Sequence, residues 1–153
     1  MIFEQMGVVR VLPERLADVV TGLAGSGPAF CFLFLEALSD GAVQAGLPRD
    51  VAHEFAASMV HGAAALAKET KTHPGVLKDA VCSPAGTTIA GVRALEDAGF
   101  RAAVMGAVTT AAARSEELRL KGPSAEELAA KVEKAKAKQA AAAGGGEAGE
   151  KEQ

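Results

Sequence analysis

Apolar residues fall at three- and four-residue steps along most of the chain, and these steps predict a succession of helices. The first strong helix start is Ser26-Gly27-Pro28, where Ser or Gly serves as cap and proline is tolerated in the first turn. From there a helix should run to about Ala45, through Phe30, Phe32, Leu33, Phe34, Leu35 and Leu38, and stop at Gly46. A second opens at Pro48-Arg49-Asp50 and carries Val51, Phe55, Met59, Val60, Ala63 and Leu66 to about Lys71. His73-Pro74-Gly75 interrupts the pattern and leads into a short helix over Pro74 to Val81. A third long helix covers Thr87 to Ala98, with Ile89, Val92 and Leu95 on one side, and ends at Gly99. A fourth begins near Phe100, and Phe100, Ala103, Val104, Ala107, Val108 and Ala111 form a stripe of little bulk that continues through Ser115 to about Leu120.

The two ends depart from this pattern. Gly7 to Leu12 reads as a short strand closed by Pro13, with a short helix starting between Pro13 and Asp18. After Gly122-Pro123, Ser124-Ala125-Glu126-Glu127 has the form of a capping box. The Ala/Lys/Glu segment beyond it is helix-prone but lacks an adequate apolar face, and Gly144 to Gln153 is of low complexity and expected to be disordered. The expected organisation is therefore residues 1–13 as a remnant of a preceding domain or a linker, 14–121 as an all-α domain, and 122–153 as a tail.

Composition sharpens the fold class. Hydrophobic residues make up 49% of the 153, but aromatic residues only 4%, with no Trp or Tyr. A core built from Ala, Leu, Val and Phe lets helices approach closely, so the chain reads as an all-α helical bundle. The helix beginning at Gly27 is apolar nearly all round in its first half, as a helix is when buried in a bundle or in a subunit contact. Its acids, Glu36 and Asp40, are read as facing solvent or a neighbouring base.

The formal net charge of −3 leaves no basic footprint for nucleic acid. Cys31 and Cys82 are too few for a disulfide framework and are read as buried free thiols. His53 and His61 lie two helical turns apart with no further ligand at a suitable spacing, so no metal site is expected. No uninterrupted apolar run reaches the roughly 18 residues of a membrane span, and Glu4, Glu14 and Asp18 stand where a secretory signal would be apolar. The expected compartment is the cytoplasm, or an organelle if a targeting segment precedes Met1.

The chemistry concentrates in Ser83-Pro84-Ala85-Gly86-Thr87-Thr88. Pro84 removes a donor, Gly86 permits a backbone that a side chain would oppose, and Thr87 and Thr88 can cap the helix that follows. A helix N-terminus with open N–H groups and added hydroxyls suits a carboxylate or a phosphate. The same turn also reads simply as a capped helix start with no ligand.

Two longer motifs carry a family resemblance. One is Val20-Thr21-Gly22-Leu23-Ala24-Gly25-Ser26-Gly27-Pro28-Ala29-Phe30. The other runs from His73-Pro74-Gly75 through Leu77-Lys78-Asp79 to Ser83-Pro84-Ala85-Gly86-Thr87-Thr88-Ile89-Ala90-Gly91 and on to Leu95-Glu96. With the Gly46-Leu47-Pro48 turn and the Gly99-Phe100-Arg101 start, they resemble the C-terminal dimerisation domain of pyrroline-5-carboxylate reductase over residues 7 to 121.

The resemblance implies helices that interlock with those of a second subunit, giving a homodimer or a higher homo-oligomer. It also implies reduction of the C=N bond of 1-pyrroline-5-carboxylate to L-proline with NADPH or NADH. Ser83 and the N–H groups of Gly86 and Thr87 would hold the substrate carboxylate, and the Thr88 hydroxyl would reach the ring nitrogen as the catalytic contact.

The departures from the family pattern matter as well. The N-terminal Rossmann domain of such reductases has no counterpart here, for Gly22, Gly25 and Gly27 precede a helix with no βαβ unit around them. The strand expected at Val8 to Leu12 would then be the last strand of that domain. Ala24 replaces a Ser, Ala85 stands where Gly is commoner, and Lys71 stands where relatives can carry an acid. Two readings follow. One is a reductase whose cofactor domain lies outside this sequence. The other is a dimerisation or binding module without activity. In either case the 153 residues alone are expected to be inactive.

Overall fold

The computed structural model describes the backbone of residues 8–144 and their side chains apart from 125 and 137–144. The described residues are all-α. A single 3-10 turn, Glu14–Leu16, leads into α1 (Ala17–Val20), a π-turn (Thr21–Gly25) and α2 (Gly27–Gln44). There follow α3 (Arg49–Thr70), α4 (Pro74–Val81), α5 (Thr87–Asp97), α6 (Phe100–Lys121) and α7 (Ala125–Gly144).

The expected strand is absent: Val8 to Pro13 has no secondary structure. A strand needs a neighbour to take its hydrogen bonds, and there is none among the described residues. The helix expected to start at Ser26 in fact continues a helical path that begins at Glu14. Ser26 makes no side-chain cap, and its N–H donates to Thr21 O at 2.9 Å, the wide step of a π-turn. Pro28 lacks an N–H, and the π-turn lies just before it, where the ladder is interrupted. The path from Glu14 to Gln44 is long enough to cross a membrane and contains a stretch apolar enough to do so, little of which is buried. An apolar subunit contact has the same composition.

Helix ends follow the local chemistry closely. At the end of α2, Gly46 takes a φ of 104°, and Gly46 N–H and Leu47 N–H donate to Val43 O and Ala42 O at 2.9 and 3.0 Å. That is the glycine-terminated helix end in which a left-handed residue satisfies the last carbonyls. Gly99 ends α5 in the same left-handed region. At the start of α4, His73 Nδ1 accepts from Gly75 N–H at 3.1 Å, and Pro74 occupies the first turn.

The unit that ends at Ser115 is organised around α2 and α3, which pack on each other. Among the described residues, Ala52 and Ala56 alone form its buried apolar core, beside a buried Ser39. Ser39 Oγ donates to Leu35 O of its own helix at 2.9 Å and reaches Ala52 O at 3.5 Å. Asp40 pairs with Arg49 at 2.5 Å, as expected of an acid near a base.

Small residues bring α6 against the π-turn. Gly22 is buried, and a Cβ on it would lie 2.8 Å from both Ala112 N and Val108 O. The Ala stripe of α6 therefore packs closely on its C-terminal side, where Ala107, Val108, Ala111, Ala112 and Ser115 are half-buried. Its N-terminal members differ: Ala103 and Val104 are exposed, while the Phe100 ring meets Phe34 with centroids 5.8 Å apart. Ser115 Oγ bonds to the Asp18 carboxylate at 2.8 Å.

The large apolar side chains are not inside. Phe32 and Leu33 are each 67% exposed, and Phe55, Met59 and Met105 are exposed too. Cys31 is exposed and Cys82 half-buried, so the thiols are not the buried pair expected.

The second unit begins at Glu116 and includes α7. Here the capping box forms as expected: Ser124 N–H donates to Glu127 Oε2 at 2.9 Å, and Glu127 N–H donates to Ser124 Oγ at 3.2 Å. Of the disorder expected over Gly144 to Gln153, Gly144 is instead the last residue of α7, and the rest lies outside the described residues.

Candidate carboxylate site at the start of helix α5

α4 ends at Val81, and Cys82 turns the chain into extended backbone. Gly86 N–H donates to Ser83 O at 3.1 Å, closing a tight turn over Ser83 to Gly86. Gly86 is then the N-cap of α5, and Thr87 and Thr88 occupy the first turn. Ser83 and Thr87 are exposed, and Thr88 is half-buried.

Three expectations change. First, the strained backbone belongs to Ala85, whose φ is 55°, and not to Gly86, whose φ of −80° any residue can adopt. The signal was present in the sequence, since Ala85 stands where glycine is commoner in the family it resembles. Second, no side chain caps α5, so neither threonine hydroxyl is spent on the helix. Third, the Gly86 N–H, assigned from the resemblance to a carboxylate, is engaged with Ser83 O.

The open donors are the N–H groups of the first helical turn. Thr87, Thr88 and Ile89 have no carbonyl four residues back within the helix to receive them, and Ala90 N–H is the first to close, on Gly86 O at 3.4 Å. No acidic residue occupies the first turn of α5, so nothing offsets the positive end of its dipole. Ser83, Thr87 and Thr88 thus gather at one end of the helix with hydroxyls and N–H groups available to an anion.

On α4, Lys78 Nζ bonds to Asp79 Oδ1 at 2.5 Å. That hydrogen bond, and then the Asp79 charge, raise the Lys78 pKa above the ordinary lysine value. His53 and His61 lie on α3, away from this turn in sequence, and no group of three or more His, Cys, Asp or Glu residues suited to a metal occurs among the described residues.

The family model for pyrroline-5-carboxylate reductase dimerisation matches residues 14–118. The chain belongs to this dimerisation family. The match takes in α1 to α5 and most of α6, hence the whole Ser83–Thr88 turn, and leaves α7 outside. The pyrroline-5-carboxylate reductase of Arabidopsis thaliana is 55% identical over 118 residues, covering 77% of this chain and 43% of the relative. That of Escherichia coli K12 is 50% identical over 117 residues, covering 76% and 44%. Among solved structures, the pyrroline carboxylate reductase of Plasmodium falciparum, crystallised with NADP bound, superposes with a TM-score of 0.71 at 32% identity, covering 76% of this chain and 45% of that one. The enzyme from Streptococcus pyogenes gives the same TM-score at 36% identity, covering 75% and 44%. The chain spans less than half the length of these relatives.

The dimerisation family also bears on a cofactor. A dinucleotide is held by a βαβ unit with a glycine-rich turn, and the described residues contain no strand. Among the described residues, then, no βαβ unit of that kind is present to hold NADPH or NADH.

Proposed function

We propose that this chain supplies the assembly and substrate-carboxylate half of a pyrroline-5-carboxylate reductase, the enzyme that reduces the C=N bond of 1-pyrroline-5-carboxylate to L-proline. The observation that carries the reading is the turn at the start of α5, where Ser83, Thr87 and Thr88 present hydroxyls and open N–H groups with no acid in the first turn. A carboxylate placed there meets the Ser83 hydroxyl and the N–H groups of Thr87 and Thr88, with Gly86 closing the turn beneath them. The Thr88 hydroxyl is the catalytic contact, directed to the ring nitrogen. Placement of this kind, and not a strong base, is what such a reduction asks of the protein.

The same proposal covers assembly. The exposed apolar side chains of α2, α3 and α6 are covered by a second copy, giving a homodimer or a higher homo-oligomer with interlocked helices. In this reading residues 14–121 are the assembly and substrate domain, 122–153 are an appended tail, and the site of work is the cytoplasm or an organelle.

A second reading, a dimerisation or binding module without activity, draws on the absence of any strand among the described residues. One experiment separates the two. The chain is joined to the part of the Escherichia coli relative that lies outside the match. NADPH oxidation is then followed with 1-pyrroline-5-carboxylate. Substrate-dependent oxidation supports the reductase reading, and a folded fusion with none supports the module.

A further inference from the structure

Gly86 lacks a side chain at a point where one would disturb a neighbouring hydroxyl more than the backbone. Its φ of −80° and ψ of 173° are open to any residue, so conformational freedom does not call for glycine here. Space does. A Cβ built on Gly86 would collide with Ser83 Oγ, and would lie 3.2 Å from Ser83 O and 3.5 Å from Ser83 Cβ. The oxygen is the far end of a short, exposed side chain, and one rotation about χ1 moves it to another staggered position. The Ser83 carbonyl at 3.2 Å must also give by a few tenths of an ångström, so a methyl fits at this position only with the hydroxyl displaced and the turn slightly widened.

We infer that Gly86 is a positioning residue whose open Cα face keeps the Ser83 hydroxyl at the start of α5. The inference rests on the reading of this turn as a carboxylate site and changes the part Gly86 plays in it. Its N–H is committed to Ser83 O at 3.1 Å, so its service to a carboxylate runs through Ser83. Ala85 contributes the left-handed step that turns the chain back between the two.

The test is a double-mutant cycle in the full 153-residue chain: Gly86→Ala, Ser83→Ala and the pair together. The Ser83 χ1 rotamer is read from three-bond NMR couplings without ligand, and binding of L-proline by titration calorimetry. Gly86→Ala should fold and melt like the parent, change the Ser83 rotamer, and weaken L-proline by about tenfold, the worth of one hydrogen bond. Ser83→Ala should cost the same factor, and the pair no more than either alone. An unchanged Ser83 rotamer, losses that multiply in the pair, or a Gly86→Ala chain that fails to fold would each overturn the inference. A parent chain that does not bind L-proline counts against the carboxylate reading instead, and the rotamer measurement still decides the part played by Gly86.

Discussion

Gly22 of the π-turn meets the backbone of α6 so closely that a Cβ on it would lie 2.8 Å from the Ala112 nitrogen. The contact is with main chain, which cannot rotate aside as a side chain can. Gly22→Ala should therefore lower stability by about 3 kcal/mol, the upper end of the usual cost of overpacking. Chemical denaturation of the parent and the variant checks this. A loss smaller than that of an average core substitution would mean that α6 is free to move away from Gly22.

Among the described residues, two without the licence of glycine sit in the left-handed region, Lys71 at the end of α3 with a φ of 54° and Ala85 with a φ of 55°. For an ordinary residue that region costs roughly 1–2 kcal/mol, part of which glycine returns as unfolded-state entropy. Lys71→Gly should raise the melting temperature by about 2–4 °C. Ala85→Gly should do the same, and it loosens the turn that carries Ser83. A differential scanning comparison in which neither variant gains stability would count against strain at these positions.

Much of this fold was legible in the pattern of side chains. The ends of α2, α3, α4, α5 and α6 all fall within a residue or two of where Gly46, Pro48, Pro74, Thr87 and Gly99 place them, because each end depends on one local residue. What the pattern did not give depends on distant partners. The π-turn before Pro28, the approach of Gly22 to α6 and the Ser115–Asp18 hydrogen bond join residues far apart or bend a helix from within. The strand at Val8 to Leu12 failed for the converse reason, since a short β-prone run closed by Pro13 supplies no neighbour of its own. At the candidate site the sequence located the turn but mistook its mechanics, giving Gly86 the strain that Ala85 bears.

The capping box at the head of α7 gives a local test. Ser124→Ala removes the acceptor for Glu127 N–H and should cost about 1 kcal/mol of helix stability. The loss should appear as reduced helicity by circular dichroism. The main unfolding transition should hold its midpoint, because Ser124 belongs to the unit that begins at Glu116. A shift of the main midpoint would show that α7 supports the helices before it.

Sedimentation equilibrium tests the assembly proposal. The parent chain should sediment as a dimer or larger at micromolar concentration, since large apolar side chains such as Phe32 and Leu33, both 67% exposed, stand open on α2, and clustered apolar surface marks an interaction site. Leu33→Asp should shift it to monomer or to aggregate. A parent chain that is a stable monomer would contradict the proposal.

The Lys78–Asp79 pair sets a limit on pH dependence. Because the Lys78 pKa is raised, whatever the pair adds to stability is fully present below the ordinary lysine pKa and is lost only as pH rises through the higher folded value. Lys78→Met should therefore leave the shape of the stability profile unchanged from neutral to mildly alkaline pH. A change of slope in that range, measured by denaturant midpoints, would place another group in control.

In the proposed function, the turn before α5 holds 1-pyrroline-5-carboxylate for reduction. The measurement that tests this most directly is the rate of NADPH oxidation by the fusion with the unmatched part of the Escherichia coli relative, compared between the parent sequence, Thr88→Ser and Thr88→Val. The parent should show substrate-dependent oxidation, Thr88→Ser should keep most of it, and Thr88→Val should fall by about a hundredfold in kcat. A folded fusion that does not respond to the substrate, or a Thr88→Val variant as fast as the parent, would contradict the proposed function.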